Sequence, residues 1–366
     1  MASVTLENLA HSYRPNPGED NDFALKEVNY TWEDGRAYAL LGPSGCGKTT
    51  LLNLISGLLT PTHGRVLFGD EDVTASSTAD RNIAQVFQFP VVYDTMTVEQ
   101  NLAFPLRNRR MEASYVAERV ARIAKMIGLE ADLKKKARGL TSDLKQKISL
   151  ARGMVRDDVN AILFDEPLTV IDPHMKWELR TQLKSLHREF GHTMIYVTHD
   201  QTEALTFAEK VVVMHEGRVV QIGTPKELFE TPAHSFVGYF IGSPGMNFIP
   251  VTVAGNIIQM GDRTIHLAHD YGTPSGELKL GIRPEFVRLT KGDGLPIRIN
   301  RVQDAGRHKF VNATLFDTEI NIAVDEGCEI EADMTSVNLD AEKISIFCDD
   351  WRIDGKSAGH VEGSAT

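Results

Sequence analysis

Through the first two thirds of the chain, short apolar runs alternate with longer stretches of helical spacing. Val4-Thr5-Leu6-Glu7-Asn8-Leu9 alternates as an edge strand does. Phe23 to Val28 resumes that pattern after Pro15 to Asp22, a loop of turn residues and charge. Ala37 to Leu41 is apolar throughout, as a buried parallel strand is, and Leu51 to Ile55 opens a helix. Gly64 to Gly69 and Ile83 to Gln88 predict further strands. Between Arg109 and Lys136, the spacing of Val116, Val120, Ile123 and Ile127 puts them on one helix face, which predicts a helical insertion over about 89–155. Lys134-Lys135-Lys136 reads as its solvated end.

Val159 to Phe164 predicts a buried strand running into Asp165-Glu166-Pro167. Trp177, Leu179, Leu183, Leu186 and Phe190 then trace an apolar helix face, and Met194 to Thr198 gives a strand ending at His199. Strand, helix, strand in this order predicts a parallel sheet, whose chemistry collects at the carboxyl ends of its strands. Asp165 and His199 both stand at such ends. Val211 to His215 and Arg218 to Ile222 flank the hairpin turn Glu216-Gly217. From about Asn247 the pattern changes to short alternating strands separated by Gly and Pro, as in a small all-β barrel. The polar stretch from Gly355 to Thr366 is expected to be flexible. The chain thus divides into an α/β domain over 1–240, a barrel over 241–354 and a tail over 355–366.

Composition changes this picture in few places. The 366 residues suffice for two or three domains, and 42% hydrophobic with 24% charged residues is ordinary for a globular chain. No run approaches 18 apolar residues, and no charged segment at the N-terminus leads into an apolar one, so neither a membrane span nor secretion is predicted. A net charge of −11 argues against nucleic acid as partner. The barrel is itself acidic, with 12 Lys and Arg against 19 Asp and Glu over 247–366. Three cysteines, Cys46, Cys328 and Cys348, make no disulfide framework and suit a reducing cytosol.

The chemistry begins at Gly42-Pro43-Ser44-Gly45-Cys46-Gly47-Lys48-Thr49-Thr50, which fits the phosphate loop G-x-x-x-x-G-K-[ST] between a predicted strand and a predicted helix. Glycines let successive N–H groups point inward, the helix start adds its positive end, and Lys48 brings a full charge to the outer phosphates of ATP. Thr49 offers a hydroxyl to Mg²⁺. Cys46 is either a small filler or a redox switch. Asp165, closing an apolar strand, reaches the Mg²⁺ shell, and Glu166 can take the proton of an attacking water. Tyr13 has two readings: a ring stacked on adenine, or a surface tyrosine packed under its own loop.

The phosphate loop, Gln88, Asp165-Glu166-Pro167, Ile171-Asp172-Pro173 and Val197-Thr198-His199-Asp200 resemble, in order and spacing, the ATP-binding subunits of ABC transporters over residues 1–240. The resemblance implies an α/β phosphate-loop NTPase core, a parallel sheet with an antiparallel β subdomain and a helical insertion. It makes Gln88 the lid-loop glutamine that senses Mg²⁺ and nucleotide, Asp172 a contact across an ATPase dimer, and His199 the switch residue at the γ-phosphate. It also favours adenine stacking for Tyr13. Val237 to Phe248 and Leu280-Gly281-Ile282-Arg283-Pro284-Glu285 look like the linker and regulatory OB-like barrel of sugar and polyol importers, the maltose and glycerol-3-phosphate type. The implied partners are two integral-membrane permease subunits docking near Phe89 to Arg110, a second ATP-binding subunit and, indirectly, a solute-binding protein. The implied location is peripheral, on the cytoplasmic face of the bacterial inner membrane. Soluble ABC ATPases acting on DNA or ribosomes lack this barrel.

One element departs from that family. Where its members carry LSGGQ, this chain has Leu140-Thr141-Ser142-Asp143-Leu144. Thr141 keeps the hydroxyl, but Ser142 and Asp143 replace both glycines and Leu144 the glutamine, and Asp143 sets a carboxylate where the loop meets a polyanion. Two unit charges 4 Å apart repel by about 4 kcal/mol at an effective dielectric of about 20. Two outcomes follow from the sequence. Either the subunit pairs with a different ATPase whose signature is intact, or Asp143 turns back to cap its own helix. A mainly regulatory subunit with weak turnover is the remaining alternative.

Overall fold

The computed structural model describes residues 2–357 apart from 262, 293, 307 and 332. The chain divides into two compact units, Met1–Pro225 and Lys226–Thr366. The first unit runs β1 (Val4–His11), β2 (Leu25–Trp32), β3 (Ala37–Leu41), α1 (Lys48–Ser56), β4 (His63–Phe68), β5 (Glu71–Asp72), β6 (Ala84–Val86), α2 (Val98–Asn108), α3 (Ala113–Ile127), α4 (Ser142–Met154), β7 (Ile162–Asp165), α5 (Pro173–Phe190), β8 (Met194–Thr198), α6 (Gln201–Phe207), β9 (Lys210–His215) and β10 (Arg218–Gly223).

An antiparallel sheet in the order β2-β1-β4-β5 accompanies a six-stranded sheet in the order β10-β9-β3-β8-β7-β6. In the larger sheet every pairing is parallel except the hairpin of β9 with β10, whose turn takes Glu216 and Gly217 at φ 48° and 79°. All five residues of β3 and all five of β8 are buried. Those strands therefore lack alternation, because both faces are covered. The pairings Leu41 with Thr198 and Asp165 with Val197 level the carboxyl ends of β3, β7 and β8. Trp32, Tyr38, Leu51, Leu54, Val66, Leu163, Ile195 and Val212 form one buried cluster that includes residues of both sheets and of α1.

Arg81, 1% exposed, fixes the far end of α1. It donates from Nη1 to the carbonyls of Leu54 and Ile55 at 2.7 and 2.8 Å, from Nη2 to Thr74 at 2.9 Å and from Nε to Ser76 at 3.2 Å. It thereby satisfies carbonyls that a helix C-terminus leaves without partners.

In the insertion, α3 stops before the predicted Lys136. Gly128 takes φ 71° and ends it. Lys134 to Lys136 are thus no helix end. They belong to an irregular segment in which Lys134 pairs with Glu99 at 2.6 Å, Lys135 pairs with Asp132 at 2.7 Å, and the Lys135 carbonyl accepts from Val98 at 2.9 Å. In α5, Leu179, Leu183 and Leu186 are buried as expected, but Trp177 is 68% exposed. Residues two apart on a helix face opposite ways, so Trp177 cannot share the stripe of Leu179.

The second unit holds α7 (Pro225–Glu230) and α8 (Ser235–Phe240), then strands β11 (Asn247–Pro250), β12 (Thr252–Ala254), β13 (Ile257–Met260), β14 (Arg263–His266), β15 (His269–Asp270), β16 (Leu278–Ile282), β17 (Val287–Thr290), β18 (Leu295–Asp304), β19 (His308–Leu315), β20 (Thr318–Asp325), β21 (Ser336–Leu339), β22 (Ser345–Cys348), β23 (Trp351–Ile353) and β24 (Lys356–Ser357). They form sheets β11-β16-β22-β23, β12-β13-β14, β15-β24 and β17-β21-β18-β19-β20. Ile258, Leu280, Ile282, Val311, Leu315, Ile320 and Ile346 share one apolar cluster.

This unit begins ahead of the boundary at 240 read from the sequence, and Arg283 supplies the reason. Its guanidinium, 2% exposed, lies 4.0 Å over the Phe229 ring. It donates to the carbonyls of Phe229, Gly238 and Ile241, binding α7 and α8 to the strands. Burial holds its pKa down at about 10. Of the expected tail, Lys356–Ser357 pairs with His269–Asp270 as a strand, and 358–366 lie outside the described residues.

Arg81→Leu leaves the carbonyls that the guanidinium satisfied without a donor. It should lower the unfolding free energy by about 3 kcal/mol or more, seen as a lower urea midpoint at constant slope; an unmoved midpoint refutes the capping role.

Candidate functional site

The loop between β3 and α1 is shaped by two glycines of positive φ, Gly45 at 83° and Gly47 at 100°. Gly47 is the N-cap of α1, and a Cβ there would stand 2.7 Å from the Ala24 carbonyl. Both features require glycine. The loop wraps the Lys48 side chain, which is 5% exposed. Its Nζ donates to the carbonyls of Gly42 and Pro43 at 2.8 and 2.9 Å. Ser44, Gly45 and Thr49 are exposed, while Cys46 is 3% exposed with its thiol pKa raised by burial. A buried thiol held in its neutral form matches the filler reading. Tyr13 does not pack under its own loop. It is 64% exposed, its hydroxyl is 3.1 Å from Thr50 Oγ1 in the first turn of α1, and its ring meets His11 edge to face.

Asp165 ends β7 beside this loop. Burial and then the neighbouring Glu166 charge raise its carboxyl pKa, while a hydrogen bond from Thr49 and the charge of Lys48 work the other way. Thr49 and Asp165 thus bring two hard oxygen donors together. That suits Mg²⁺, which takes few protein ligands and completes its shell with phosphate oxygens and water. Among the described residues no three His, Cys, Asp or Glu side chains cluster as a metal group. Glu166 has φ 45°, the left-handed region, and its N–H donates to the Val197 carbonyl at 3.0 Å. This turn aims its carboxylate at the end of β8. There Oε2 lies 3.0 Å from His199 Nδ1 and accepts from Thr169 Oγ1 at 3.2 Å.

Thr49 bonds Asp165, Glu166 meets His199, and the charges of Lys48 and Glu166 act on Asp165, so these five side chains gather at one edge of the sheet. Gln88 is half-buried just past β6, whose Val86 pairs with Phe164 of β7, so it leaves the same carboxyl edge. Thr141 and Asp172 stand elsewhere, at helix starts. Asp172 caps α5, accepting from the His174 N–H at 2.9 Å. Thr141 caps α4, accepting from the Leu144 N–H at 3.4 Å, with Ser142 exposed beside it. The expectation that Asp143 caps this helix fails. The shorter Thr141 side chain holds that position, and Asp143 lies inside the first turn. Sequence reasoning missed Gln146. It is fully buried on α4 and donates to main-chain carbonyls beside both Glu166 and Gln88. A polar residue in the buried stripe of α4, Gln146 to Ala151, was the available signal.

The family model described as ABC transporter matches residues 25–169, and that of the MalK OB fold domain matches 242–287. The sn-glycerol-3-phosphate import ATP-binding protein UgpC of Brucella abortus is 38% identical over 364 residues, covering 96% of this chain and 99% of that protein. The chain belongs to the ATP-binding subunits of ABC transporters. UgpC of Ruegeria pomeroyi is 37% identical over 88% of this chain and 90% of that one. The trehalose import ATP-binding protein SugC of Mycobacterium tuberculosis is 36% identical over 91% and 87%. Among solved structures, cbiO1 of Clostridium perfringens, part of the ABC transporter complex cbiONQ, aligns with a TM-score of 0.57 and 29% identity over 62% of this chain and 90% of that one. This ABC subunit binds and hydrolyses ATP and works with membrane permease partners. Among the described residues no helix is long and apolar enough to cross a membrane.

The raised Asp165 pKa carries a stability consequence. A carboxyl whose folded pKa lies above its unfolded value weakens the fold at higher pH and is neutral to it below the unfolded pKa, about 3.9. Asp165→Asn should therefore raise the melting temperature of the nucleotide-free protein at pH 8, with the gain shrinking to nothing toward pH 4. A lower melting temperature at pH 8, or a gain independent of pH, contradicts this.

Proposed function

We propose that this chain energises uptake of a sugar or a polyol such as a glycerol derivative, from the cytoplasmic face of a bacterial inner membrane, with two permease subunits and a solute-binding protein. The observation that carries the reading is the convergence of Lys48, Asp165, Glu166 and His199 at one strand edge, with Glu166 3.0 Å from His199, in a chain whose C-terminal unit resembles the MalK OB domain. The import functions printed for UgpC and SugC support the substrate class.

ATP is bound with Tyr13 against adenine and with residues 42–50 around the phosphates. Lys48 exchanges the Gly42 and Pro43 carbonyls for phosphate oxygens. Thr49, Asp165 and Gln88 would hold Mg²⁺, which draws charge from the phosphates when bound. Glu166 takes the proton of the attacking water from the carboxylate edge that His199 and Thr169 leave open. His199 reaches the γ-phosphate from the end of β8, where its ring is already held by Glu166. The barrel's regulatory role and the contact of Asp172 across a dimer belong to the same reading. Phe89, Val91 and Tyr93, exposed by 68, 52 and 38%, support a permease-docking face between Phe89 and Arg110.

The first turn of α4 favours pairing with a second, different ATPase. Thr141 and Ser142 can still meet a phosphate from a helix N-terminus, but Asp143, half-buried beside them, opposes it. In a mixed dimer the partner's signature completes the site built on Lys48, Asp165 and Glu166, while Asp143 weakens the other.

Glu166→Gln should keep Mg-ATP affinity and slow turnover by about a hundredfold or more; wild-type turnover removes Glu166 from the base role. Turnover with the permease subunits should be faster when a second ATPase with an intact signature is added than with this chain alone. Equal rates refute the mixed pairing.

A further inference from the structure

Beyond the groups expected to touch nucleotide, one buried amide joins three segments of the first unit. Gln146 is 0% exposed. Its Nε2 donates to the Pro167 carbonyl at 2.6 Å and to the Phe87 carbonyl at 3.3 Å. Pro167 directly follows Glu166. The Phe87 carbonyl belongs to the peptide group that carries the N–H of Gln88. One planar amide thus holds two peptide groups, one adjoining Gln88 and the other a single residue beyond Glu166. Gln146 itself stands on α4, whose first turn carries Thr141 and Ser142.

The orientation of this amide is forced. Turned over, it would set its oxygen against the two carbonyl oxygens. In the observed orientation Oε1 is buried with no hydrogen-bond partner. An unpaired buried acceptor costs about 1–3 kcal/mol. Packing alone does not explain such a group, since leucine or methionine fills a similar volume without the unpaired oxygen; what they lack is the donor to the two carbonyls.

We infer that Gln146 is a positioning residue that couples the N-terminus of α4 to Glu166 and Gln88. A helix displaces as a rod, so motion of the Thr141 end against a phosphate carries the Gln146 amide with it. That motion pulls on the Pro167 and Phe87 carbonyls together. The aim of the Glu166 carboxylate and the place of Gln88 then depend on whether the α4 start is engaged.

The inference rests on the roles proposed for Glu166 and Gln88, and the experiment separates the two. Full-length Gln146→Leu, Gln146→Met, Gln88→Ala, Glu166→Gln and the Gln88→Ala/Gln146→Leu double variant are assembled with the permease subunits. ATP hydrolysis, Mg-ATP affinity and melting temperature are measured for each. Gln146→Leu takes the donor from the Pro167 and Phe87 carbonyls, so it is expected to melt a few degrees below wild type, to stay folded at the assay temperature and to bind Mg-ATP within about twofold of wild type. Its kcat should fall at least tenfold, and the double variant should lose less than the product of the two single losses. Gln146→Met should behave alike, and it replaces Gln146→Leu should that variant fail to fold. A kcat within twofold of wild type, a kcat loss matched by loss of folded protein at the assay temperature or by falling affinity, or multiplying losses in the double variant each overturn the coupling. Wild-type turnover in Glu166→Gln instead overturns the site assignment.

Discussion

Parallel pairing of β3, β7 and β8 is the constraint on which the rest depends. These strands are buried on both faces, so their identity as a layer is set by continuous apolar runs, and their relative register by the hydrogen-bond ladder. Once Leu41 is level with Thr198, and Asp165 with Val197, three loops leave the sheet at the same edge. The phosphate loop, the Glu166 turn and His199 need no further device to meet. A slip of one residue in β7 would put either the Phe164 ring in the place of Asp165 or the Asp165 carboxylate in the core place of Phe164.

Several polar groups are held at a cost that the fold alone does not require. Asp165 is kept in a partly desolvated place beside another carboxylate, and Glu166 occupies a left-handed backbone conformation. Lys48 is buried with its ammonium turned onto two loop carbonyls. These carbonyls satisfy the buried cation, so the loop keeps its shape around the Lys48 side chain. The anchors lie farther out. Arg81 ties down the end of α1 away from the phosphate loop, and in the second unit Arg283 does the same for α7 and α8.

Much of this was legible before any coordinates, and the divisions are physical. Strands β3 and β8 were readable to the residue because five buried positions in a row leave no ambiguity of face. The phosphate loop and the Asp165-Glu166 pair were readable because the chemistry fixes both residue types and their setting. What escaped depends on side chains that act at a distance along the chain. Gln146 meets Pro167 and Phe87 across long sequence separations, and nothing in its own helix announces those partners beyond a polar residue in a buried stripe. Trp177 was misplaced because an apolar residue next to an apolar stripe was counted as part of it. The Lys134 to Lys136 run was misread because a single glycine, Gly128, ends the helix earlier than charge alone suggests.

The altered signature shows how local stability and ligand chemistry pull against each other at one helix start. An acid in the first turn interacts favourably with the positive end of the helix dipole, by about 0.3–1 kcal/mol at an exposed site. With Thr141 as cap and Asp143 in the first turn, α4 is therefore a well-formed helix by its own rules. A phosphate draws on the same N–H groups and the same dipole, so the features that settle the helix are those already spent when the anion arrives. An uncharged first turn leaves the dipole for the ligand. In this chain Asp143 takes it, and the repulsion between its carboxylate and a phosphate exceeds the helix stabilisation it brings. The sequence thus trades phosphate closure for helix stability, which in the mixed pairing proposed above would weaken one site and leave the other to the partner's loop.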